Sequence, residues 1–302
     1  MSGQPPPAEP PQAQPTGSQR PARDDRITPA NLLKAVGIVL LIQVVALVVT
    51  KQNLPVYVGT VTGNLSGEST TSVGGAALNA ILLVGLVFVL TASLVWLLRK
   101  KMVNSFKMII FCSVSLSSFV LTLTTVDVFA SNFLSPLSGL LAGVFTGALL
   151  VVLVGYTIFV KNRPWLSTAI LAFVGAEVGS FFAETLPLYT ALALAAAFSC
   201  YDIYAVFKGP LKQMIGTAPT VALVGMSIRA GEFTLGLGDI VFYTMLPSLA
   251  VFYVGYGASV ATMLAIDAGV FVTLFLLSRK RLLPGLPIPM FLGLLALVAF
   301  RV

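Results

Sequence analysis

Nine apolar runs, each about the length that crosses a bilayer, occupy residues 31–50, 77–98, 107–129, 138–160, 165–185, 188–207, 235–253, 259–278 and 284–301. A helix rises about 1.5 Å per residue, so roughly 20 apolar residues span a hydrocarbon core of about 30 Å. Charged residues make up 10% of the chain and hydrophobic ones 57%, whereas soluble domains are about a quarter charged. The expected fold is an all-α polytopic membrane protein with nine transmembrane helices. Residues 165–207 would be far too long for one crossing, and Pro187 within Thr-Leu-Pro-Leu-Tyr marks the turn that divides them. Residues 28–302 then form a single transmembrane domain. Residues 1–27 are Pro-rich and polar, read as a disordered tail, and lack the apolar stretch of a signal peptide.

Charge sets the orientation. With the N-terminus in the cytoplasm, Arg20, Arg23, Arg26, Lys34, Arg99, Lys100, Lys101, Lys107, Lys161, Arg163, Lys208, Lys212, Arg229, Arg279, Lys280 and Arg281 all fall inside, and only Lys51 and Arg301 fall outside. This is the positive-inside pattern, and it places the C-terminus outside the cytoplasm. The net charge of +7 is thereby explained by topology, without a nucleic-acid partner. Cys112 and Cys200 sit in apolar runs and read as small buried hydrophobes, not as a disulfide. The outer loop 52–76 holds a glycosylation sequon at Asn64-Leu65-Ser66. The inner loop from Lys208 to Thr234 carries Thr-Ala-Pro-Thr-Val-Ala-Leu-Val-Gly-Met-Ser-Ile, residues 217–228. That segment is too short to span; it would lie at the interface, re-enter the membrane, or form a strand.

The chain contains no histidine, which excludes a Ser-His couple and an H-E-x-x-H zinc site. Carboxylates remain, and an ionisable side chain within a span is costly enough to suggest function. Six stand in or near spans: Asp127, Glu177, Glu184, Asp202, Asp239 and Asp267. Asp127 and Glu184 lie near outer ends and suit structural roles. Glu177 and Asp267 are mid-span, and structure is again the simpler reading. Asp202 lies six residues before Lys208, about 9 Å from the inner face. Asp239 follows Arg229 by ten residues on the next span, which runs the other way. Both aspartates therefore reach a similar depth on one side.

Their neighbours differ from those of the other four. Tyr201 precedes Asp202, while Gly236, Leu237 and Gly238 precede Asp239, the glycines allowing close backbone approach. At the same level the last run opens with Pro284, Pro287 and Pro289. These cannot all lie inside a regular helix, so an unwound segment is expected there. Irregular backbone at membrane depth is tolerated where it is buried in protein or lines a wet cavity.

Tyr201-Asp202, Gly236-Leu237-Gly238-Asp239 and Pro284-Gly285-Leu286, in that order on nine runs, resemble the presenilin and signal peptide peptidase family of intramembrane aspartyl proteases. That family's signature is Y-D, G-x-G-D and P-A-L. The chain departs from it at Gly285, where the signature has alanine. The inside N-terminus matches the presenilin branch, and the compact loop after Asp202 looks most like the archaeal homologues. The resemblance implies a presenilin-like fold, with Asp202 and Asp239 catalytic and Tyr201, Gly236, Leu237, Gly238, Pro284, Gly285 and Leu286 shaping the site. It implies neither metal nor organic cofactor.

Two carboxylates in hydrogen-bond reach cannot both ionise and would share one proton. The ionised partner would take a proton from water as it attacks a peptide carbonyl, and the protonated one would stabilise the oxygen. At this depth the scissile bond belongs to a substrate's own transmembrane helix. That helix must unwind, and strand addition at the inner loop would satisfy its backbone. The expected surroundings are the plasma-membrane bilayer, with the site toward the cytoplasm. A homo-oligomer is compatible with the sequence, which gives no sign of an obligatory further subunit. The competing function is a proton- or cation-coupled transporter or channel using the same carboxylates as a relay.

Overall fold

A computed structural model of the chain describes residues 29–57, 73–100, 102–131, 133–160, 163–208, 226–230, 233–279 and 283–300. The N-terminal tail, the sequon, residues 217–225 of the inner loop and Lys161, Lys212, Lys280, Arg281 and Arg301 lie outside the described residues.

Among these residues the nine apolar runs appear as nine α-helices: α1 Pro29–Tyr57, α2 Val73–Arg99, α3 Val103–Ser131, α4 Pro136–Gly155, α5 Pro164–Thr185, α6 Leu188–Phe207, α7 Leu237–Tyr253, α8 Tyr256–Arg279 and α9 Pro287–Ala299. A π-helical turn, Tyr156–Val160, extends α4. The division at Pro187 stands, because Pro187 caps the start of α6 with extended dihedrals. Seven helices are long and apolar enough to cross a membrane; α7, with 17 residues, and α9, with 13, are shorter. The chain is an integral, multi-pass membrane protein.

The two short helices begin later than their apolar runs for different reasons. Residues Phe233–Gly236, the last two of which were expected to begin the seventh span, form strand β2, which pairs antiparallel with β1, Ser227–Ala230, in the register Ser227↔Gly236 and Arg229↔Thr234. Of the inner-loop segment the described residues Ser227 and Ile228 are in a strand, and the strand pair leads into the helix that carries Asp239. In α9, residues 283–286 are non-helical, while Pro287 and Pro289 fall within the first turn. The first N–H groups of a helix have no intrahelical acceptor, so proline costs little there. Only Pro284 lies in unwound chain.

Packing is organised around α7, whose residues Ile240 to Ala250 are all buried. It lies against α5, α8 and α1, while α9 packs chiefly on α8 and also meets α6 and α7. Glycines permit the closest approaches: a methyl on Gly175 would meet Ile240 Cγ2 at 2.9 Å, and one on Gly179 would overlap Thr244. Thr244 also donates to the Gly175 carbonyl at 3.3 Å. On the periphery α3 packs along α4, whose Gly139, Gly143 and Gly147 face Asp127, Leu123 and Phe119. α2 packs mainly on α6. Gly255, between α7 and α8, has φ +125° and needs glycine for that turn.

The cysteines correct one expectation. Both are free, yet both are exposed on the helix surface instead of buried. A thiol is apolar enough to face lipid.

Candidate active site

Asp202 sits on the last turns of α6 and Asp239 in the first turn of α7. Gly236 caps α7 with extended dihedrals (φ −67°, ψ 142°), and its N–H donates to Asp239 Oδ2 at 3.3 Å. A methyl on Gly236 would stand 3.1 Å from that oxygen. Glycine at this position leaves room for the carboxyl to fold back on the helix start.

The unwound segment before α9 touches both carboxylates. The Leu286 N–H donates to Asp202 Oδ2 at 3.0 Å. A methyl on Gly285 would stand 2.8 Å from Asp239 Oδ2 and 3.2 Å from its Cγ. Covalent geometry across these two residues limits the separation of the two carboxylates to about 10 Å. Pro284 and Leu286 are buried, which fixes the segment. Gly269 of α8 holds the start of α9 close, since a methyl there would lie 2.8 Å from Pro289 N.

The remaining expected site residues sort by position. Gly238 is exposed, and a methyl on it would meet nothing within 4 Å, so the chain is open on that side of Asp239. Leu237 faces α5 at Gly175. Tyr201 packs its ring edge-on to Phe88 of α2 at 6.3 Å and Phe198 of α6 at 6.2 Å. Phe198 in turn stacks on Phe242 of α7 at 4.8 Å, joining the two aspartate-bearing helices.

The other carboxylates stand apart. Glu177, buried mid-α5, accepts from Thr122 of α3 at 2.8 and 3.0 Å. Asp127 lies against Gly139. Asp267 is buried in α8, and neither of its oxygens has a hydrogen-bond partner among the described residues. No cluster of three or more His, Cys, Asp or Glu suited to a metal occurs among them.

The family model for presenilin matches residues 29–221 and 227–302. The chain belongs to the presenilin family. Presenilin-B of Dictyostelium discoideum is 37% identical over 120 residues, a match that takes in 36% of this chain but only 25% of that protein. The fold is shared with a presenilin family intramembrane aspartate protease solved in two crystal forms. The TM-score is 0.62 for each, at 16% and 17% identity, covering 89% of this chain and 98% or 96% of the other.

Sequence reasoning missed Tyr243. It is 1% exposed, and its hydroxyl donates to the Gly285 carbonyl at 2.9 Å. The signal was available: Tyr243 follows Asp239 by four residues on a helix and shares its face.

Proposed function

We propose that this presenilin-family chain is an intramembrane aspartyl protease of the GxGD type. It hydrolyses peptide bonds within transmembrane helices of membrane proteins, using Asp202 and Asp239 as the dyad. The observation that carries the reading is the contact of one unwound segment, Gly285-Leu286, with both carboxylates.

The dyad holds one proton between two carboxyl groups. The ionised aspartate accepts a proton from water as the water oxygen bonds to the scissile carbonyl carbon. The protonated aspartate hydrogen-bonds the carbonyl oxygen as charge develops on it. Collapse of the tetrahedral adduct transfers a proton to the leaving amine and breaks the C–N bond. Neither a metal nor an organic cofactor takes part.

The substrate enters as an extended strand and adds to β2. The other edge of the hairpin is occupied: Thr168 of α5 accepts from the Arg229 N–H at 3.2 Å and donates to the Arg229 carbonyl at 3.3 Å, standing in for a neighbouring strand. On β2, Thr234 pairs with Arg229 across a non-hydrogen-bonded position, so its peptide groups point outward. A strand there runs directly into Gly236 and the open side of Gly238. The protein is placed in the plasma membrane with nine spans, a cytoplasmic N-terminus and the dyad toward the cytoplasm. Residues 28–302 form one domain, and no further subunit is required.

The test is cleavage of a single-span reporter in liposomes. Asp202→Asn and Asp239→Asn are each expected to lower kcat by at least about 10³-fold. Cleavage that survives either change would defeat the dyad. Ion flux abolished by the same changes, without cleavage by the wild type, would favour the transporter.

A further inference from the structure

Gln43 is the sole hydrogen-bonding side chain between Lys34 and Thr50 of α1, and it is completely buried. An amide at that depth is costly unless it is paired. Its partner is an acceptor that α7 cannot satisfy by itself. In a regular helix the Tyr243 carbonyl would accept from the N–H of residue 247. Residue 247 is proline, which has no N–H and whose ring crowds that carbonyl. Gln43 Nε2 donates to it instead, at 3.2 Å.

The side chain of the same tyrosine acts in the opposite direction. Its hydroxyl holds the Gly285 carbonyl at 2.9 Å. That carbonyl and the Leu286 N–H belong to one planar, trans peptide group, so fixing the oxygen at one end aims the N–H at the other. The N–H is the one that meets Asp202 Oδ2 at 3.0 Å.

We infer that Gln43 and Tyr243 are positioning residues: with Pro247 they form a relay from α1 that holds the Gly285–Leu286 peptide plane against Asp202. The functional part of this inference rests on the protease reading. α1 carries no residue of the three signature motifs, yet through Gln43 it reaches the dyad.

The test is a cycle of variants assayed for kcat, KM and melting temperature. Tyr243→Phe keeps the ring and removes one hydroxyl. It is expected to lower kcat about tenfold or more, with KM within about twofold of wild type. Gln43→Leu is expected to lower kcat about tenfold and to lower Tm. In a Pro247→Ala background residue 247 regains its N–H, and the effect of Gln43→Leu on both readouts should shrink to within about twofold in kcat and to no resolved Tm change. A Tyr243→Phe enzyme at wild-type rate would overturn the inference. So would an effect of Gln43→Leu equal in both backgrounds. If Pro247→Ala does not fold, Tyr243→Phe alone decides. If the wild type cleaves nothing, or the aspartate variants still cleave, the protease reading falls, and the Tm cycle still judges the contact of Gln43 with Tyr243.

Discussion

Gly285 shows how much one missing methyl can decide. Glycine is usually explained by unusual dihedrals, yet among the described glycines only Gly255 has a positive φ. Gly285 is needed for space: the Asp239 carboxyl occupies the volume that an alanine side chain would fill, 2.8 Å from where its Cβ would stand. Restoring the alanine of the family signature should therefore lower activity, not raise it. Gly285→Ala must move either the carboxyl or the segment by some tenths of an ångström, and displacement of reacting groups by about 1 Å can cost about 10²-fold. The expected result is a kcat reduced at least about tenfold in the reporter assay, with little change in KM. Gly238→Ala, which meets no neighbour within 4 Å, should instead raise KM, because it narrows the side left open for the substrate. The departure at residue 285 was legible in the sequence, but only as a difference from the signature. Its steric meaning required the position of a side chain 46 residues away in the chain.

At the scale of elements, the hairpin ahead of α7 is the feature that hydropathy could not resolve. Phe233 and Leu235 are as apolar as a helix entry, and their burial at 6% each satisfies a strand as well as a helix. The alternation of buried Phe233 and Leu235 with exposed Thr234 is the period-2 signal, but four residues are too few to read it with force. The consequence for function is directional. With the Arg229 edge held by Thr168, substrate pairing depends on the outward N–H of Thr234. Thr234→Pro removes that donor without breaking a rung of the β1–β2 ladder. It is expected to raise KM about tenfold or more while leaving Tm close to wild type. An unchanged KM would show that the substrate does not add to β2. By contrast, the unwound chain at Pro284 and the break at Pro187 were readable directly, because proline acts through its own covalent structure, whereas Pro287 and Pro289 proved to belong to the first turn of α9.

For the molecule as a whole, the order of the helices among the described residues was legible because an apolar run in a membrane has to satisfy its backbone internally. Their neighbours were not legible. α7 is surrounded by α1, α5 and α8, which are far from it or adjacent in sequence without distinction. The contacts come from local size matching, such as Gly175 and Gly179 against Ile240 and Thr244. Orientation is where charge is expected to decide. A tag ahead of residue 29 should be digested by protease in inverted membrane vesicles and protected in right-side-out ones; the opposite result would overturn the cytoplasmic N-terminus. The burial of α7 carries a last consequence. In its best spanning window α2 has only 11% of its residues buried within the protein, whereas the stretch of α7 beyond Asp239 is enclosed for three turns. Longer or shorter acyl chains therefore press first on the rim formed by α2, and the helix bearing Asp239 is insulated from the lipid by its own neighbours.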